Sequence, residues 1–103
     1  MGGALIQGLS RALYEQPQWN KERITSLDWV TYPIMRFKDH PRVHPIVIQH
    51  MDQIAGGSGE VPMDATVAAI GNAFFDATGV RIREAPLRAA KVRAALKDAG
   101  VKV

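Results

Sequence analysis

The chain has no cysteine among its 103 residues. That excludes a disulfide framework, a thiolate metal site and iron–sulfur ligation within it, though it does not fix a compartment. It also lacks any apolar run approaching the ~18–20 residues that span a membrane. No basic segment leads an apolar one at Met1-Gly2-Gly3-Ala4-Leu5, so the start does not read as a signal peptide, and a cytoplasmic location is favoured. There is no internal repeat, no low-complexity tract and no strong excess of one charge, the formal net charge being +3. What remains is ordinary globular composition, 47% apolar and 22% charged, enough for one small domain (1–103) with a limited core.

Gly56-Gly57-Ser58-Gly59-Glu60-Val61-Pro62 is the most distinctive stretch. Glycine lets backbone approach another group closely. Glu60 ends the turn, and Pro62 suits the first turn of a helix, where its missing N–H costs nothing. Such a loop delivers one carboxylate to the mouth of a helix, a fitting place for a cofactor and a base. Downstream, Met63, Val67, Ile70, Phe74 and Ala77 recur at helical spacing, with Ala69 and Ala73 widening the apolar face. This predicts a helix over 62–78, closed by Gly79 in a left-handed conformation.

A first helix is expected over 4–16, with Leu5, Leu9 and Ala12 or Leu13 on one face and Gln16-Pro17 stopping it. Gly8 within it implies close approach to a neighbour, and Gly71 in the second helix carries the same implication. Gly2-Gly3 running straight into a helical pattern reads as though something preceding it were missing. Strands are expected at 24–30, around 34–37, at 43–50 and at 80–85, where apolar and other residues alternate or β-branched residues cluster. Pro86 is expected to open a last helix ending at Gly100. The order predicts an α+β fold: a small mixed sheet of about 3–4 strands covered by three helices.

Two further features invite chemistry. His40, His44 and His50 stand near Asp39 and Asp52, but no second cluster completes a four-ligand set, so exposed histidines are the expectation and no metal ligand is assigned. Residues 81–103 carry Arg81, Arg83, Arg88, Lys91, Arg93, Lys97 and Lys102. A basic face can bind nucleic acid; with no nucleic-acid-binding motif beside it, a solvated face is the simpler reading.

Five segments in register resemble one family. Gly2 to Glu15 is similar to the "GG-x-x-x-QG-x-x-x-AL-Y-E" segment of the molybdenum-binding large subunit of xanthine dehydrogenases and aldehyde oxidases. Asp28-Trp29 with Tyr32-Pro33-Ile34 resembles its "D-(x)3-YP-(I/L)" segment, and Gly57-Ser58-Gly59-Glu60 its "G-x-GE" signature. Ala68 to Gly79 resembles its "A-I-x-NA-(x)2-DATG" helix, and Ile82 to Leu96 its terminal strand and helix. The resemblance covers essentially the whole chain but only the last portion of the family's large polypeptide. Val61 departs from it, standing where proline is common.

The resemblance implies that Glu60 is the active-site base, taking a proton from molybdenum-bound hydroxide or water during oxidation of an aldehyde or N-heterocycle, with water as oxygen source. It implies that Gly57, Ser58 and Gly59 lie beside the cofactor, a molybdenum-molybdopterin of cytosine dinucleotide type. The implied partners are the upstream portion of the large subunit, an iron–sulfur subunit and a flavin subunit. Most cofactor-gripping loops lie upstream in the family, so the 103-residue chain alone is expected to bind no molybdenum and to be inactive. A truncated interaction module that keeps the fold without the chemistry is the alternative reading. Apolar surface on the first helix, left uncovered, points to a homo-oligomer.

Overall fold

The periodic segments close into three helices: α1, Gly2–Leu13; α2, Val61–Thr78; and α3, Ala89–Asp98. The computed structural model describes residues 1–54 and 56–102. Pro62 occupies the first turn of α2, and Gly79 ends it with φ of 69°, the left-handed cap expected from Thr78-Gly79. The third helix starts after Pro86, with Arg88 as its N-cap.

The core is the α1–α2 pair. Ala4, Gly8 and Ala12, one face of α1, are buried. The apolar stripe of α2 (Met63, Val67, Ile70, Phe74) is half-buried. Gly8 makes the closest approach: a Cβ there would lie 2.9 Å from the Met63 carbonyl oxygen and 3.1 Å from Thr66 Cβ. The expected close approach at Gly71 is not found, since a Cβ there meets nothing within 4 Å. Ala69 and Ala73 are exposed, so the widened face of α2 stays open.

The end of α1 is tied down from far along the chain. Helix C-termini leave carbonyls without intrahelical partners. Here Leu87 N–H donates to the Ala12 carbonyl (2.7 Å), and the Arg88 guanidinium donates to the Tyr14 carbonyl through Nη2 (2.6 Å) and Nε (3.1 Å). That contact hands the chain on to α3, whose Leu96 is buried.

The expected α+β sheet does not form. Among the described residues there is no strand, only one isolated bridge between Trp19 and Ile24. The reasons are local. Around 24–32 the Asp28 carboxylate accepts from the amides of Val30 (3.0 Å) and Thr31 (2.8 Å), making a turn in place of an alternating strand. Residues 37–39 form a single 3-10 turn. Residues 43–50 lie against no second strand, and β propensity is a fit to a neighbouring pleated surface, not a property a lone segment can satisfy. Beyond Gly79, Arg81 is drawn back to α2: its Nη1 donates to Asn72 Oδ1 (2.9 Å), and its guanidinium sits 4.1 Å from the Phe75 ring centroid.

The chain buries little of itself. Its accessible surface is 8390 Å², against about 5,700 Å² for a compact protein of this mass. Its radius of gyration is 16.9 Å, against roughly 13 Å for a compact chain of this length. Among the described residues no helix is long and apolar enough to cross a membrane.

Candidate functional site

Gly57, Ser58, Gly59 and Glu60 run together into the N-terminus of α2, all of them exposed. A Cβ placed on Gly57 or Gly59 would meet nothing within 4 Å, so this backbone is open to approach. Glu60 is the N-cap residue, with φ −99° and ψ −36°, and its side chain makes no capping hydrogen bond. Its carbonyl accepts the Met63 N–H at 2.8 Å. Glutamate is not among the favoured N-cap residues, and here its carboxylate is not spent on holding the helix. The four expected site residues thus stand together at the start of α2, and among the described residues the Glu60 carboxylate makes no capping bond.

The next residues, Val61 and Pro62, line an open apolar groove that continues along Ala65, Ala69 and Ile70 and is closed on one side by Leu5 of α1. The glycine loop leads directly into Val61 and Pro62 of this groove.

The histidines do not converge. Among the described residues no group of three or more His, Cys, Asp or Glu could hold a metal ion. His40 lies against Phe37, with ring centroids 6.2 Å apart. His50 faces Asp52 at 3.8 Å. The basic C-terminal stretch is partly used inside the chain: Arg81 binds α2, Arg88 caps α1, and Lys91 pairs with Glu84 at 3.0 Å.

A polar seam between α1 and the 29–35 segment was not anticipated. The buried Ser10 hydroxyl accepts the Met35 N–H (3.0 Å), and the Tyr32 hydroxyl donates to Glu15 Oε2 (2.9 Å). The bond to Glu15, with a smaller contribution from burial, holds the Tyr32 phenol above its ordinary pKa. Arg11 reaches the Met63 sulfur across the helix pair. Gln7 and Arg11 on α1 and Glu15 just past its end recur every fourth residue; that spacing was the available signal, but nothing local pointed to Tyr32 as the partner.

No protein-family model matches the chain. The chain is 41% identical over 98 residues to one subunit of the nicotinate dehydrogenase of Pseudomonas putida, a match covering 95% of the chain and 8% of that relative. It is 36% identical over 90 residues to the beta subunit of isoquinoline 1-oxidoreductase of Brevundimonas diminuta, covering 87% of the chain and 11% of the relative. It is 30% identical to the molybdenum-binding subunit of the aldehyde oxidoreductase of Escherichia coli, covering 93% of the chain and 14% of the relative. The chain thus spans a small fraction of the length of the relatives it matches. It is homologous over 87% to 95% of its own length to a short stretch of these three oxidoreductase subunits, of which the Escherichia coli one is named as molybdenum-binding.

Proposed function

We propose that this chain is the C-terminal portion of the large subunit of a molybdenum hydroxylase, an enzyme that oxidises aldehydes or N-heterocycles with water as the source of oxygen. In this reading Glu60 is the active-site base, and Gly57, Ser58 and Gly59 face a molybdopterin cofactor of cytosine dinucleotide type. The observation that carries it is the uncommitted Glu60 carboxylate at the end of an open glycine loop, in a chain homologous to such subunits across nearly its whole length.

The residues present fit part of such a site. Exposed N–H groups along a glycine-rich turn suit an anionic group, because no side chain stands in the way. The molybdenum cofactor, when bound, supplies the two-electron redox chemistry. The chain's own contribution is a carboxylate oxygen that accepts a proton, which requires hydrogen-bond reach of the proton's donor. One loop does not enclose a cofactor, so the rest of the large subunit supplies the remaining grip, and the isolated chain is inactive. The relatives are named as subunits, which fits electron transfer to iron–sulfur and flavin partners.

The test is a graft. This chain replaces the homologous stretch of the Pseudomonas putida nicotinate dehydrogenase, and molybdenum content and nicotinate oxidation are measured. Glu60→Gln is expected to lower kcat by about 10²–10⁴-fold, the usual contribution of a general base, with molybdenum retained. Unchanged turnover in Glu60→Gln would remove Glu60 from the mechanism. Helix α2 should be unaffected, because the side chain makes no cap bond.

A further inference from the structure

Residues 43–50 hold the most β-branched run of the chain, Ile46-Val47-Ile48, yet among the described residues no strand pairs with it. These three side chains are 83%, 68% and 75% exposed. Among the described residues, no backbone N–H or carbonyl between Val43 and Gln49 has a backbone partner. Unpaired backbone groups beside exposed apolar side chains are the two things a paired, covered strand removes from water.

We infer that residues 43–50 are a docking segment, which pairs by its backbone with a β-strand of the remainder of the large subunit. The inference rests on the reading that the chain works as part of such a subunit. It leaves the chain itself without a sheet of its own.

Three observations select this occupant. Consecutive side chains of an extended segment point to opposite faces, so Ile46 and Ile48 share one face and Val47 takes the other. Both faces are apolar, the pattern of a strand covered on both sides. A second copy of this chain would give only a two-stranded ribbon with both faces wet, which is marginal in water. Finally, the chain corresponds to only 8% to 14% of its relatives' length, so the bulk of the large polypeptide lies elsewhere to supply the neighbouring strand and its covering layers. The contact belongs to the mode in which main-chain hydrogen bonds provide affinity and alternate side chains fill pockets.

Amide hydrogen exchange tests it, on the free chain and on the graft into the Pseudomonas putida nicotinate dehydrogenase. In the free chain, Ile46, Val47 and Ile48 should exchange at the rate of open peptide. In the graft they should slow by at least about a hundredfold, as paired backbone does. N–H groups of consecutive residues point to opposite edges, so at least one of Val47→Pro and Ile48→Pro removes a docking bond. That variant should lower the melting temperature of the graft while leaving the helix content of the free chain unchanged. Val47→Ala keeps the N–H and separates lost bonding from lost apolar area. A graft that folds and holds molybdenum while residues 46–48 still exchange freely overturns the inference and leaves the proposed function standing. A graft that neither folds nor holds molybdenum overturns both. Slow exchange at 46–48 in a free chain that sediments as a dimer would assign the segment to a second copy and overturn the choice of partner.

Discussion

The α1–α2 pair and the segment between the two helices obey different rules. Each helix closes its backbone hydrogen bonds within itself and needs its neighbour only for an apolar face. Gly8 and the stripe from Met63 to Phe74 provide that neighbour within this chain. The intervening residues carry Trp19, Trp29, Phe37 and Ile46 to Ile48, all exposed. Their bonds are mostly short-range: Asn20 Oδ1 accepting from Glu22 and Arg23, and Asp28 closing its own turn. Local sequence thus suffices for helices and turns, whereas strand-forming sequence waits for a partner. One chain holds a finished region and an unfinished one.

The sharpest way to break this contrast is at the helix contact. Gly8→Ala places a Cβ 2.9 Å from the Met63 carbonyl oxygen, a backbone atom that cannot turn aside. The overpacking should cost about 1–3 kcal/mol, of which helix propensity returns at most about 1 kcal/mol. Gly71→Ala is the matched control, since its Cβ meets open space on α2; it should stabilise by about 0.5–1 kcal/mol. Urea unfolding followed by helical ellipticity reads both. If the two substitutions shift the midpoint in the same direction, the α1–α2 contact is not what holds the helices.

The same contrast explains what was legible beforehand. The three helices were readable from periodicity and punctuation, with Pro62 and Gly79 marking the ends of α2. Gly8 was readable as a contact because glycine inside a helix needs a reason. Gly71 carried the same signal without the contact, which shows that the residue type alone does not locate its neighbour. The sheet was misread because Val43 to His50 has the composition of a strand, and composition does not say where the second strand comes from. Around Asp28 the alternation was overridden by a side chain able to bind its own backbone. The grouping of Gly57, Ser58, Gly59 and Glu60 was contiguous in sequence and so could hardly be missed. The Tyr32–Glu15 bond joins segments distant in sequence and left no local mark.

A smaller effect is expected at the end of α2. Gly79 has φ of 69°, and a side chain there is strained by about 1–2 kcal/mol. Gly79→Ala should fray the last turn, where Thr78 Oγ1 donates to the Phe74 carbonyl and Arg81 reaches back to Asn72. Loss of ellipticity confined to that turn, with the Gly8 contact intact by amide exchange, would show that the helix pair and its cap are separable. A global loss would place the cap within the same cooperative unit.

The smallest effect is the most local. Amides of Thr31 and Val30 and the Thr31 hydroxyl bond the Asp28 carboxylate and hold it below the usual carboxylate range. A carboxylate so depressed adds stability that is present above its unfolded pKa and is lost as pH falls through the folded one. The 28–31 turn should therefore persist at neutral pH and open only on strong acidification, seen as movement of the Val30 and Thr31 amide signals in an acid titration by NMR. Asp28→Asn should abolish that midpoint. Two bonds join this region to α1 and the residues just past its end, Met35 to Ser10 and Tyr32 to Glu15. If α1 amides move with the Asp28 midpoint, those bonds couple the unfinished region to the finished one. If they stay still, the turn is a free-standing local structure, and the intervening segment gains its order piece by piece.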